Sequence, residues 1–141
     1  MLKGISPLIS PELLKILCEM GHGDEIVLAD ANFPSETTGK RVIRADGIGA
    51  ADLLILPLFP LDTYEKDRFI LMEVVPGDPV VPTIWDDYKQ ILEEKEPGTP
   101  VTFMERFAYY ERAKKAYCVV ATGETAQYAN IILKKGVVYT E

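Results

Sequence analysis

The chain has 141 residues, 48% of them hydrophobic, with one histidine, two cysteines and a net charge of -7. That length supplies one compact core, so a single domain over residues 1–141 is expected. The excess of 22 acidic over 15 basic side chains leaves no diffuse basic surface to neutralise phosphates or anionic lipid, which disfavours nucleic acid and membranes as partners.

At the start of the chain only Lys3 precedes Pro7 and Pro11, so neither the apolar run nor the cleavage site of a secretory leader can be read there. The longest apolar stretch, residues 53–61, is broken by Pro57 and Pro60 and is too short to span a bilayer. Cys18 falls in a helical pattern and Cys118 in a strand pattern, which suits two buried free thiols. A cytoplasmic protein is expected.

Taken in chain order, helix and strand signals alternate. Ser10 is an N-cap and Pro11 fits a first helical position; Leu13, Leu14, Leu17 and Met20 then follow a helical stripe until Gly21. Residues 26–29 are a continuous apolar run, the pattern of a strand covered on both faces, ended by the Asn32-Phe33-Pro34-Ser35 turn. A short strand is predicted at residues 42–44, a helix over 50–56 stopping at Pro57, and a buried strand over 69–75. Ile84, Trp85, Tyr88, Ile91 and Leu92 form a helical stripe closed by Pro97-Gly98. Residues 101–104 read as strand, 107–116 as helix, 117–121 as a β-branched strand and 130–133 as a final strand. Strands separated by helix-length segments predict an α/β fold, a three-layer α/β/α arrangement around a largely parallel sheet.

Ligands of such sheets collect outside the carboxyl ends of the strands. Asp30 and Arg106, each just past a predicted strand, fall there. Tyr128 and Asn130 are two apart, so in extended chain they share a side, and a phenol with a carboxamide suits a ligand made of hydroxyls. His22, between Gly21 and Gly23, is the one side chain whose ordinary pKa allows proton exchange near neutrality. A surface or helix-capping histidine, a capping aspartate and a solvated arginine are the plainer alternatives.

Other patterns do not carry chemistry. Gly47-Ile48-Gly49 lacks the third glycine of a dinucleotide fingerprint, and Thr122-Gly123-Glu124-Thr125 lacks the lysine of a phosphate loop. His22, Asp24 and Asp30 are a weak metal set without a second imidazole or paired thiolates, so no metal is expected. No nucleophile-elbow pattern is present.

Five blocks nevertheless stand in a recognisable order: Gly21-His22-Gly23-Asp24-Glu25, Ala29-Asp30-Ala31-Asn32-Phe33-Pro34, Ile43-Arg44-Ala45-Asp46-Gly47, Glu105-Arg106-Phe107 with Tyr110-Glu111-Arg112-Ala113, and Thr122-Gly123-Glu124 followed by Tyr128-Ala129-Asn130-Ile131. Over nearly the whole chain they resemble the ribose pyranase and fucose mutarotase family, and the histidine, Arg44-Ala45-Asp46 and Glu105-Arg106-Phe107 blocks resemble its L-fucose branch. Asn32 stands where some bacterial members have a second histidine; other members resemble this chain in having asparagine. The resemblance implies a cofactor-independent enzyme that interconverts cyclic forms of a free monosaccharide, built as a decameric ring with sugar sites at subunit contacts. By motif it makes His22 the proton donor and Asp30, Arg106, Tyr128 and Asn130 the sugar ligands. A non-catalytic sugar-binding or regulatory subunit, and an aldose–ketose isomerase, are the alternatives. Independently of the family, Phe33, Phe59, Tyr109 and Tyr139 fall in predicted loops or element ends, where aromatic residues are candidates for subunit contact.

Overall fold

The first helix forms where its signals predict. In the computed structural model, which describes residues 1–140, the Ser10 hydroxyl accepts the Leu13 N–H at 3.1 Å and caps helix α1, Pro11–Glu19. Leu13, Ile16 and Leu17 turn inward. At its other end the Lys135 ammonium donates to the carbonyls of Leu17 and Met20 at 2.7 and 2.5 Å, a cation where the helix dipole is negative. Cys18 is a correction: it lies on the outer face and is exposed, while Cys118 is buried.

The remaining elements are β1 (Glu25–Ala29), α2 (Ser35–Thr38), β2 (Val42–Ala45), α3 (Ala50–Leu53), β3 (Phe69–Met72), α4 (Ile84–Lys95), β4 (Thr102–Met104), α5 (Arg106–Lys115), β5 (Cys118–Thr122) and β6 (Ile131–Lys134). Helix α3 is one turn long, shorter than its apolar run predicts. Leu54, Ile55 and Leu56 are buried beyond its end, and the residue before Pro57 is disfavoured in helical geometry. Strand β3 also stops early, at Met72 rather than residue 75, where the chain runs on to Pro76 and the turn at Gly77.

The strands form one sheet in the order β2-β5-β1-β6-β3-β4. Five run the same way; β6 is antiparallel to both neighbours, β1 and β3. Alternate residues serve the two faces. Ile26, Leu28, Val120, Ile131 and Leu71 pack with Leu13, Leu53, Tyr88 and Leu92 of α1, α3 and α4. Val27, Ala29, Val119, Ile132 and Ile70 pack with Tyr109 and Ala113 of α5. Each large apolar side chain so covered contributes about 1.5–3 kcal/mol. No helix among the described residues is long and apolar enough to cross a membrane.

Three of the four aromatics expected at subunit contacts belong to this interior. Phe33, Phe59 and Tyr109 are buried, and only Tyr139 is exposed. The Phe33 ring stacks on Tyr110 with centroids 5.4 Å apart, and the Phe59 N–H closes a turn on the Ile55 carbonyl at 2.9 Å. Such turns fold loop residues back onto the sheet. The exposed aromatics are instead Tyr64, Phe103, Phe107 and Tyr139.

Candidate active site

The carboxyl ends of three of the five parallel strands, β1, β3 and β4, border a cavity of roughly 370 Å³. Asp30 follows β1, Asp78 the loop after β3, and Arg106 follows β4. Because β6 runs the opposite way, the residues preceding it, Tyr128 and Asn130, arrive at that same end. All five line the cavity, with Met72 among the apolar residues beside them.

Asp30 and Asn130 are joined across the sheet. The Asn130 carboxamide oxygen accepts the Asp30 N–H at 2.7 Å, and an Asp30 carboxylate oxygen accepts the Asn32 N–H at 3.0 Å. Burial raises the Asp30 pKa above the ordinary aspartate value, against the N–H groups of Asn32 and Phe33, which lower it; the charge of Glu124 adds to the rise. The turn after Asp30 is pinned by Glu124, whose carbonyl accepts the Ala31 N–H at 2.7 Å. Thr122 ties the neighbouring strand, donating its hydroxyl to the Ala29 carbonyl at 2.6 Å.

Tyr128 reaches the cavity by a route the sequence argument does not describe. Its φ is 59°, a left-handed conformation uncommon for a bulky residue, so it does not share an extended segment with Asn130. The turn itself aims both side chains into the cavity. The Trp85 indole N–H holds the Tyr128 carbonyl at 2.8 Å, and the Tyr128 hydroxyl donates to Asp78 at 2.6 Å. Arg106 is exposed at the first position of α5 with its guanidinium over the Phe107 ring, 4.5 Å from the centroid. The Glu105 carboxylate caps that helix, accepting the N–H groups of Phe107 and Ala108 at 2.9 and 3.0 Å.

His22 is not with them. It precedes β1, so the five-residue strand, about 17 Å at 3.3–3.4 Å per residue, separates it from Asp30 along the chain. Its Nε2 lies 3.2 Å from an oxygen of Asp62, and its ring is 5.7 Å from that of Tyr64. The imidazole is 48% exposed, whereas the Asp62 side chain is 3% exposed. Burial pushes the Asp62 pKa up, but the Tyr64 N–H and His22 outweigh it and hold the carboxyl below its ordinary value. Tyr64 and Tyr139, joined hydroxyl to hydroxyl at 3.0 Å, form an exposed aromatic pair beside the histidine.

Of the five residues nominated from sequence, four line one cavity and the histidine stands at the other end of the sheet. Asp62, Asp78 and Trp85 were missed. Asp78 lies beyond the carboxyl end of β3 as Asp30 lies beyond that of β1, so position after a strand is the signal that points to both. No group of three or more His, Cys, Asp or Glu side chains among the described residues is placed to hold a metal ion.

This fold and cavity define an α/β protein with a cavity lined by polar side chains at the carboxyl edge of a mostly parallel sheet. The model of the RbsD / FucU transport protein family matches residues 3–138, and the chain belongs to that family. It is 55% identical over 140 residues to an L-fucose mutarotase of Histophilus somni (strain 2336), covering 97% of each chain. Among solved structures it is similar to the fucose mutarotase of Streptococcus pneumoniae in complex with L-fucose, at 55% identity and a TM-score of 0.92, covering 98% of this chain and all of that one. FucU from Bifidobacterium longum is similar at 55% identity and a TM-score of 0.94, with 97% and 100% covered.

Proposed function

We propose that the protein is an L-fucose mutarotase that interconverts the α and β anomers of the free sugar in the cytoplasm, working as one mutarotase domain in a closed homodecamer. The observation that carries this reading is the convergence of Asp30, Arg106, Tyr128 and Asn130 on one cavity, in a chain whose relatives are L-fucose mutarotases and whose solved relative is complexed with L-fucose.

The chemistry asks for little beyond placed acid and base groups. Ring opening delivers a proton to the ring oxygen while the anomeric hydroxyl loses one; reclosure on the other face of the carbonyl gives the other anomer. The uncatalysed reaction already runs in water, so general acid–base catalysis worth roughly 10² to 10⁴-fold suffices, about 3 to 5 kcal/mol of barrier. Asp30 accepts from sugar hydroxyls, Arg106 and the Asn130 amide donate to them, and His22 moves the proton.

One chain cannot bring His22 to its own cavity, because β1 lies between them. A neighbouring copy can. The exposed histidine with Tyr64 and Tyr139 beside it offers a surface of the aromatic kind enriched at protein contacts, and a ring of identical contacts would seat each histidine over the next cavity. The test is complementation, read by exchange NMR on equilibrated L-fucose. His22→Ala and Asn130→Ala proteins are each expected to lose most anomer exchange. Co-expressed, they regain it, since some sites then combine an intact histidine with an intact cavity. Full activity of either variant, or of a monomer seen by light scattering, defeats the shared site.

A further inference from the structure

Tyr128 is held at three points. Its carbonyl accepts the Trp85 indole N–H at 2.8 Å, its hydroxyl donates to the Asp78 Oδ2 at 2.6 Å, and the same hydroxyl oxygen accepts the Val75 N–H at 3.2 Å. These bonds keep a bulky residue at a φ of 59°. Backbone strain of that kind persists only where the surroundings over-determine it, and it concentrates at ligand sites.

The partner is equally fixed. The second Asp78 oxygen accepts the Val80 N–H at 3.0 Å, and the Asp78 N–H donates to the Val75 carbonyl at 3.0 Å. Gly77, at a φ of 89°, supplies the turn between them. The loop over residues 75–80 is thus closed on itself and presents one carboxylate oxygen to the phenol. A phenol has one proton and two lone pairs. The proton is engaged by Asp78 and one lone pair by Val75, which leaves a single lone pair for a ligand.

We infer that Asp78 sets the polarity of the sugar site: by holding the Tyr128 proton it makes the phenol an acceptor, never a donor, toward the sugar. The inference rests on the cavity being the sugar site proposed above. The bond to Asp78 raises the Tyr128 pKa, and the bond from Tyr128 lowers that of Asp78. The pair therefore remains neutral phenol and charged carboxylate at neutral pH. Tyr128 positions a sugar hydroxyl and takes no part in proton delivery, and the hydroxyl that meets it must itself donate.

Fluorine separates the two polarities, because it replaces a hydroxyl without being able to donate. The experiment measures binding of L-fucose, and of derivatives with one ring hydroxyl at a time replaced by fluorine, to the wild-type protein, Asp78→Asn and Tyr128→Phe. The derivative fluorinated at the hydroxyl that meets Tyr128 is expected to bind the wild type about tenfold or more weakly than L-fucose, the cost of a polar group left without its partner; a penalty at a hydroxyl that donates to Asp30 is expected to persist in Asp78→Asn. In Asp78→Asn the carboxamide has one acceptor oxygen, which stays on the Val80 N–H. Its NH2 then donates to the phenol, the phenol proton turns into the cavity, and the penalty for that derivative shrinks. Tyr128→Phe leaves the loop bonds within residues 75–80 in place and is expected to remove the same penalty.

An identical pattern of fluorine penalties in wild type and Asp78→Asn overturns the inference, as does a wild type that penalises no derivative. L-fucose binding unaffected by both Tyr128→Phe and Asn130→Ala would instead place the sugar elsewhere, and the underlying reading would fall first.

Discussion

The Nε2 atom of His22 lies 3.2 Å from a carboxylate oxygen of Asp62 that is itself almost wholly buried. The same Asp62 oxygen accepts the Tyr64 N–H at 3.0 Å, so the carboxylate is anchored and the imidazole is oriented by it. Asp62→Asn is expected to slow anomer exchange roughly ten- to hundredfold while leaving the fold intact, since hydrogen bonds to charged groups are worth about 1.5–3 kcal/mol. Exchange NMR with circular dichroism checks it. An unchanged rate would make Asp62 a purely structural carboxylate.

Asp30 is expected to trade stability for affinity. Burial raises its folded pKa, so the folded state favours the protonated form. Its contribution is most favourable below the unfolded value of 3.8 and is lost as pH rises through the folded value. At neutral pH the charged carboxylate is therefore a cost. Asp30→Asn should melt higher than wild type at pH 7, with the gap closing as the pH falls below about 4, and should bind L-fucose more weakly. A variant that melts lower at neutral pH would contradict the sign.

Gly123 lies against Gly47 so closely that a Cβ there would be 2.4 Å from the Gly47 nitrogen and 2.7 Å from its Cα. Both neighbours are main chain and cannot step aside as a side chain can. Gly123→Ala should lose about 1–3 kcal/mol or more in denaturant unfolding. It should also weaken sugar binding, because Glu124, the next residue, pins the turn after Asp30. Wild-type stability would mean that the two loops can part freely.

The apolar periodicity located every strand and the long helices, because covered strands and one-sided helices must be written in runs and stripes. It could not give the direction of β6, since a run of Ile131, Ile132 and Leu133 reads the same either way. Asp30 and Arg106 were legible from their places after strands. Tyr128 and Asn130 were nominated by shared-side geometry that the chain does not have, and they meet through a left-handed turn instead. Phe33 and Phe59 looked like contact residues because a loop residue's burial depends on where the loop folds, and Tyr109 because its place near the start of a helix does not reveal that this face of α5 lies against the sheet. The distance between His22 and the cavity was invisible for a similar reason: sequence proximity to Asp30 is spent along the length of a strand. Asp62 and Asp78 were passed over because isolated loop aspartates all look alike until their partners are known.

Strand β6, late in the chain, is inserted between β1 and β3 near the middle of the sheet. Before residues 131–134 are in place, β2, β5 and β1 have no connection through the sheet to β3 and β4. Closing that gap joins segments far apart in sequence, the kind of pairing that folds slowly. The clasp between Asp30 and Asn130 spans 100 residues and can form only with it. A nascent or partly opened chain therefore lacks the proposed sugar site, and a sugar bound to both residues would bolt β1 to β6, protecting the folded chain from unfolding and proteolysis by a free energy that grows with the logarithm of sugar concentration above its Kd.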